Sequence, residues 1–418
     1  MSDDLASVFR RETGRCTATL IRILGDVDLA EDAVAEAFAI AAERWPVAGT
    51  PPNPGAWIVT TARNRAIDHL RRESTRDARQ RASHHLHETD MDAEPNPDLD
   101  QLDGFVDVVA DDQLRLMFLC CHPALSPDAQ VALTLRLLGG LDTPEIARAL
   151  VIPEATVAQR IVRAKRKLRD NNAPYRIPRP AELPGRLRPV LAAIFLIFTE
   201  GHTATTGTSL TRTDLSDEAI RLGAVLVELM PDEPEALGLL ALMVLTDARR
   251  PARTAPDGSM IRLADQDRSL WDGELIARGH ALVQTCLRRD QPGPYQFQAA
   301  IAAVHADATS HAATDWPQIV ALYDQLRAQR PDPVVGLNRA IALGEARGPA
   351  VGLDELALLD TDRLADYQPF HAAHADLLVR ADRPADAVEA YDRALALTTN
   401  PSERAFLLGQ RALAAQPD

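Results

Sequence analysis

Apolar residues recur at helical spacing along this chain, and proline or glycine punctuates them at short intervals, which leaves little room for a sheet. Leu20, Ile23 and Leu24 are followed by Ala33, Val34, Ala37, Phe38 and Ala41, with a break at Gly25 to Asp28. The spacing predicts two helices over residues 5–45. The run from Trp45-Pro46 to Pro54-Gly55 contains Gly49, Pro51 and Pro52, and is expected to be a loop. A third helix is predicted from Ala56, with Ile58, Ala62, Ala66, Ile67 and Leu70 on one face and arginines on the other. Helical pattern resumes over Gln113–Cys121 and Pro127–Leu138, ended by Gly139-Gly140, and continues to the end of the chain. The expected fold class is all-α.

The length of 418 residues is too great for one ordinary core and predicts two or three domains. No apolar run reaches the roughly 20 residues needed to cross a bilayer, and the start, Met1-Ser2-Asp3-Asp4, lacks a basic segment followed by an apolar one. A soluble, cytoplasmic protein without a membrane partner is expected. The four cysteines, Cys16, Cys120, Cys121 and Cys286, have no C-x-x-C spacing and are read as reduced. Neighbouring side chains on a helix point about 100° apart, so Cys120-Cys121-His122 is a poor metal clamp and is read as structural.

A net charge of -15 disfavours nucleic-acid binding by the whole chain, yet the charge is unevenly distributed. Between Trp57 and Arg81, Arg63, Arg65, Arg71, Arg72, Arg76, Arg79 and Arg81 outweigh Asp68, Glu73 and Asp77. From Ala82 to Asp112 there is neither lysine nor arginine, against ten carboxylates. A second basic cluster holds the only two lysines, Lys165 and Lys167, with Arg160, Arg163, Arg166 and Arg169. That cluster lies on the second of two helices, Glu145–Leu150 and Glu154–Arg169, joined by Val151-Ile152-Pro153. This is a helix-turn-helix pattern. Val157, Ile161, Ala164 and Leu168 form its buried stripe, while Ala155, Gln159, Arg163 and Arg166 face away and Thr156 and Arg160 flank them. Arginine and glutamine so placed are able to reach base edges and phosphates in a major groove.

Beyond residue 175, "IVALYDQLRAQRP" at Ile319 is echoed 68 residues later by "AVEAYDRALALTTNP" at Ala387, twice a period of 34. Leu353 and Ala357 occupy the intervening unit, so three helix pairs of tetratricopeptide length are expected over about 300–401.

Taken in order, "DLAEDAVAEAF", "WIVTTARNRAIDHLRR" and "LSPDAQVALTLRLLGGLDTPEIARALVIPEATVAQRIVRAKRKLR" resemble the second and fourth domains of extracytoplasmic-function sigma factors of the sigma-70 family. The resemblance implies a dissociable subunit that brings core RNA polymerase to promoter DNA. It assigns Asp28, Glu31, Asp32, Glu36 and Phe38 to the surface that docks on the clamp helices of the large polymerase subunit, with the flap as a further contact. It assigns Asn53, Trp57, Arg63, Asn64, Asp68, Arg71 and Arg72 to the minus-ten element, the loop from Val47 to Pro54 lying where an extruded base is captured. Trp57 and Asp68 are equally readable as packing and capping residues. It assigns Thr156, Gln159, Arg160, Arg163, Lys165 and Arg166 to the minus-thirty-five element. Two positions depart from the family pattern: Ala35 stands where glutamine is common, and Ala158 where a basic residue is common.

The implied organisation is a polymerase-binding domain over 1–75, an acidic flexible linker over 76–110, a helix-turn-helix domain over 111–172, and a helical regulatory extension over 173–418. The linker is either a solubilising tether or an acidic occupant of the polymerase's basic interior. The extension resembles the sigma subgroup with a tetratricopeptide-like C-terminal domain, through "LAAIFLIFTEGH" and "ALMVLTDARRPAR" with "LADQDRSLWD". Residues 170–418 hold 34 acidic and 24 basic residues, which points to a protein or peptide partner rather than DNA. Glu200, His202, Asp265 and Asp267 share no ligand spacing and are read as structural. No catalytic residue, metal or cofactor is expected. The rival reading is a DNA-binding activator with a repeat-type sensor domain, which needs the helix-turn-helix but not the first 75 residues.

Overall fold

The computed structural model describes residues 3–81, 102–150, 152–202, 213–255, 259–359, 361–398 and 400–416. Among them the regular structure is helical, and the β pairing is one isolated bridge between Thr254 and Met260. The chain divides into two compact units, residues 1–193 and 194–418.

In the first unit, α1 (Asp3–Leu24), α2 (Val27–Ala48) and α3 (Pro54–Arg81) pack pairwise against one another. Asp26 caps α2 by accepting from the Leu29 amide at 2.9 Å, and Asn53 caps α3 by accepting from Ala56 at 3.0 Å. Leu20, Ala30, Ala37, Ala41, Ile58 and Ala62 are buried between them, and these small residues let the axes approach. The α2 helix runs on through Trp45 and Pro46 to Ala48, past the expected loop boundary. Pro46 sits in the last turn, where the one bond it forgoes, to the Ala42 carbonyl, lies at the end of the helix and not in its interior, and Gly49 ends it at φ 85°.

Then come α4 (Leu102–Cys120), α5 (Pro127–Leu137), α6 (Thr143–Leu150) and α7 (Glu154–Asp170). The helix α4 begins at Leu102, inside the stretch expected as linker, where Leu102, Phe105, Val106 and Val109 recur in the sequence at i, i+3, i+4 and i+7. Residues 76–81 of the expected linker belong to α3, and residues 82–101 lie outside the described residues. Asp142 and Glu145 form a capping box at α6, each accepting from the other's amide at 2.7 and 2.8 Å. The buried Asp112 of α4 takes Arg22 of α1 at 2.8 Å and Arg115 of its own helix. The Tyr175 hydroxyl lies 2.6 Å from the Ala18 carbonyl oxygen and 3.0 Å from that of Asp112, tying the chain after α7 to both helices.

The second unit opens in α8 (Leu183–His202), which crosses the division. It continues with α9 (Thr213–Leu229), α10 (Pro234–Asp247), α11 (Gly273–Arg289), α12 (Pro294–Asp307), α13 (Trp316–Gln329), α14 (Pro333–Arg347), α15 (Pro349–Ala357), α16 (Thr361–Leu364), α17 (Gln368–Arg380), α18 (Pro384–Leu397) and α19 (Pro401–Ala414). Three single-turn 3-10 helices lie between α10 and α11. The starts of α13, α15 and α18 are 33 and 35 residues apart, and those of α14, α17 and α19 are 35 and 33 apart. Many of these helices begin with proline in the first turn, where its missing N–H costs nothing. The central helix is α10, buried almost all round by α9, α11 and α12.

At the α10–α12 crossing, a Cβ on Gly238 would stand 2.8 Å from the backbone nitrogen of Gln296 and 2.6 Å from its Cγ. Helix propensity favours alanine by about 1 kcal/mol, but overpacking against backbone costs about 1–3 kcal/mol. Gly238→Ala is therefore expected to destabilise the second unit by about 1–2 kcal/mol in chemical denaturation; a neutral or stabilising result would contradict this crossing.

Candidate nucleic-acid interface

The sequence-predicted stripe of α7 is the observed one: Val157, Ile161, Ala164 and Leu168 are its buried residues. They turn toward α5 and α6. Gln159, Arg163 and Arg166 are exposed on the other side, with Thr156 half-buried beside them. Arg166 pairs loosely along its own helix with Asp170 at 3.5 Å. Arg160 is half-buried and reaches Asp128 at the start of α5, 3.1 Å away, so its guanidinium steadies the helix-turn-helix.

Lys165 departs from the expected DNA face. It points to α2, where its Nζ lies 2.6 Å from Asp28 and 2.7 Å from Glu31. Arg169 joins Asp28 and Arg136 of α5 joins Glu31. The five side chains form one ion cluster between the polymerase-docking candidates and the helix-turn-helix. Burial opposes charge on Asp28, but hydrogen bonds and attraction from Lys165 and Arg169 outweigh it and hold the carboxyl below its ordinary range. Burial likewise opposes the Lys165 ammonium, and Glu31 and Asp28 outweigh it, so its pKa rises. Both partners shift toward the charged form. The resemblance placed Lys165 on the minus-thirty-five face, and local spacing held no signal for Arg136, 105 residues from its partner.

The remaining docking candidates divide. Asp32 and Glu36 are exposed and flank a shallow groove between α2 and α3, lined also by Leu29, Ala33, Ala35, Arg65 and Ala66. Phe38 is buried, its ring 4.7 Å from Phe9 in an edge-on contact, so it belongs to the core and not to the docking surface. Its place in the helical stripe with Val34 and Ala41 is the reason.

Arg63, Asn64 and Asp68 are exposed on α3, and Trp57 is half-buried edge-on to Trp45 at 5.4 Å. Asn53 spends its side-chain oxygen on the cap of α3. Arg71 and Arg72 lie on α3 with side chains outside those described. Cys120 and Cys121 both bond inward to α5, to the Leu133 carbonyl and the Thr134 hydroxyl, and burial pushes the Cys121 thiol up to about 12. In the second unit Asp265 pairs with Arg262 at 2.7 Å and Asp267 caps Ser269 at 2.9 Å. No group of three or more histidine, cysteine or carboxylate side chains able to hold a metal occurs among the described residues.

Three families match the chain: sigma-70 region 2 over residues 8–76, sigma-70 region 4 over residues 115–168, and a family of unknown function, DUF6596, over residues 186–287. A protein of Rhizobium meliloti strain 1021, described only as uncharacterized, is 41% identical over 99% of this chain and 96% of its own length. A probable ECF RNA polymerase sigma factor, SigI of Mycobacterium tuberculosis, is 27% identical over 40% of this chain and 56% of its own. No solved structure matches significantly. No helix among the described residues is long and apolar enough to cross a membrane. Regions 2 and 4, in that order and on the helices described, make this chain a member of the extracytoplasmic-function sigma factors of the sigma-70 family, extended by a DUF6596 domain.

Proposed function

We propose that the chain directs core RNA polymerase to particular promoters, reading the minus-thirty-five element with the outer face of α7 and opening the minus-ten element with α3. The observation that carries this reading is the geometry of α7, where an apolar stripe is buried and Gln159, Arg163 and Arg166 are exposed on the opposite side. The groove flanked by Asp32 and Glu36 has the carboxylates and the apolar floor that suit a basic helical clamp on the large subunit. The loop from Gly49 to Asn53, between α2 and α3, is the place for an extruded base, with Arg63 and Asn64 exposed farther along α3 to hold the strand.

The ion cluster adds a closed state to this reading. Asp28 and Glu31, proposed to meet polymerase, are neutralised by Lys165, and Arg169 belongs to the helix proposed to meet DNA. Engagement of polymerase by α2 then requires these cations to leave. The extension, with helix pairs repeating near every 34 residues, is read as a tetratricopeptide-like array that controls sigma activity in cis through a protein contact.

Arg163→Ala is expected to weaken promoter binding by about 1–3 kcal/mol with core binding intact. Asp32→Lys with Glu36→Lys should do the reverse, lowering core affinity roughly tenfold or more with an unchanged circular dichroism spectrum. Normal transcription by either variant would remove that face from the interface. Lys165→Met should open the closed state and raise core affinity. In the parent chain the same release is expected on raising salt or on lowering pH: the stability from Asp28, whose carboxyl is depressed, is present above the unfolded carboxylate range and is lost as pH falls through the folded value. Identical affinity for parent and variant at all salt concentrations would reject the closed state. Truncation after His202 keeps α8 and the Arg186 bond to the Phe118 carbonyl. It should change transcription strongly without altering promoter preference, and a truncated chain that transcribes like the full one would refute control in cis.

A further inference from the structure

In the second unit, between α10 and the later helices, the structure gathers hydrogen-bond donors with no acceptor to receive them. The Arg268 guanidinium lies 4.5 Å above the Trp271 ring and that of Arg249 is 5.9 Å from the same ring. Arg268 gives one nitrogen to the carbonyl oxygens of His305 and Ala308, at 2.5 and 2.8 Å, while its Nη2 is buried without a partner. The indole Nε1 of Trp271 and the Nδ1 atoms of His305 and His311 are buried and unpartnered as well. Both imidazoles pack edge-on to Trp316, at 5.3 and 5.2 Å. The Arg249 side chain has no hydrogen bond or ion pair among the described residues, and its contact there is with the Trp271 ring.

The nearby carboxylates are committed elsewhere. Asp247 pairs with Arg250 at 2.7 Å and Asp265 with Arg262; Asp267 and Asp272 accept from backbone amides at helix starts; Glu345 pairs with Arg380 and meets His311 through Nε2 at 3.3 Å, with no ion pair to Arg249 or Arg268 among the described residues. Two cations thus share one aromatic platform in a half-buried place, without a counterion, in a domain rich in acid. Desolvation, with Arg268 adding repulsion, pushes Arg249 down to about 10, and burial with the fields of Arg249 and Arg268 pushes His305 down to about 4. Leaving polar groups unpaired in such a place costs free energy that a ligand recovers. Arginine and indole nitrogens are donors only, so the missing partner is made of acceptors. Guanidinium forks match the planar or tetrahedral oxygens of carboxylate and phosphate.

We propose that Arg249, Arg268, Trp271 and His305 form a binding site for a small oxyanion, a phosphate monoester or a carboxylate, which makes the extension a ligand-sensing domain. Arg249 and Arg268 close on the anion from the Trp271 face, the indole N–H and the His305 ring supply further donors, and Trp316 holds the two imidazoles in place.

The test titrates the full-length chain with inorganic phosphate and, separately, acetate, against sodium chloride at equal ionic strength, following melting temperature and tryptophan fluorescence. Trp271 and Trp316 are two of the four tryptophans, so the signal reports on the site. A saturable rise in melting temperature with one oxyanion and none with chloride is expected, and the arm that responds identifies the ligand class. Arg249→Met should weaken that response about tenfold or more and leave the melting temperature in chloride unchanged or higher, because it removes an uncompensated cation and no hydrogen bond. Trp271→Phe keeps the aromatic platform, loses the N–H, and should weaken the same response. The proposal is overturned if neither oxyanion acts beyond chloride, or if Arg249→Met and Trp271→Phe both respond like the parent chain.

Discussion

The half-buried Glu31 carboxylate holds the first unit together as a single body. It takes Lys165 from α7 and Arg136 from α5, while its neighbour Asp28 takes Lys165 and Arg169. An isolated surface pair is worth little. A shared network is different, since each side chain is already fixed by the others and the charges are partly removed from water. Without those cations, α2 would present two more unpaired carboxylates. With them, α7 is turned so that Gln159, Arg163 and Arg166 face outward while Lys165 faces in.

Apolar contacts and buried polar links complete the same assembly. Gly14 lets α1 approach the Leu138 backbone, where a Cβ would stand 2.7 Å from the carbonyl oxygen. Asp112 and Tyr175 join α1, α4 and the chain beyond α7 through groups that burial makes costly to separate. These interactions explain why segments that read as separate domains along the sequence form one compact unit. The unit therefore holds α2 and α7 against each other through their charges, which is the contact that the proposed closed state rests on.

The second unit has the opposite electrostatic problem. It is acidic as a whole, and most arginines there are paired, as Arg339 is with Asp324 and Glu355. Around Trp271 two arginines have no carboxylate partner among the described residues: they lie over the indole ring, and the Nη2 of Arg268, the indole Nε1 and the Nδ1 atoms of His305 and His311 lack partners. Stability alone favours pairing such groups, so a domain that leaves them open has a use for an anion.

Short-range patterning determined much of this protein from sequence alone. Helix starts at capping residues and prolines, the buried stripe Val157, Ile161, Ala164 and Leu168, the helix pairs near 34 residues, and the order of the two sigma regions were all legible, because each depends on spacing within a few turns. Phe38 was legible too as a core residue, since the stripe that carries it points inward; resemblance alone placed it on the surface. Tertiary structure decided which charges meet. Lys165 was placed on the minus-thirty-five face by resemblance, but its partners lie 137 and 134 residues away, and those of Arg249 and Arg268 are rings and carbonyls brought in from other elements. Periodicity records which side of a helix faces the core, and says nothing about which charge from a distant segment will be waiting there.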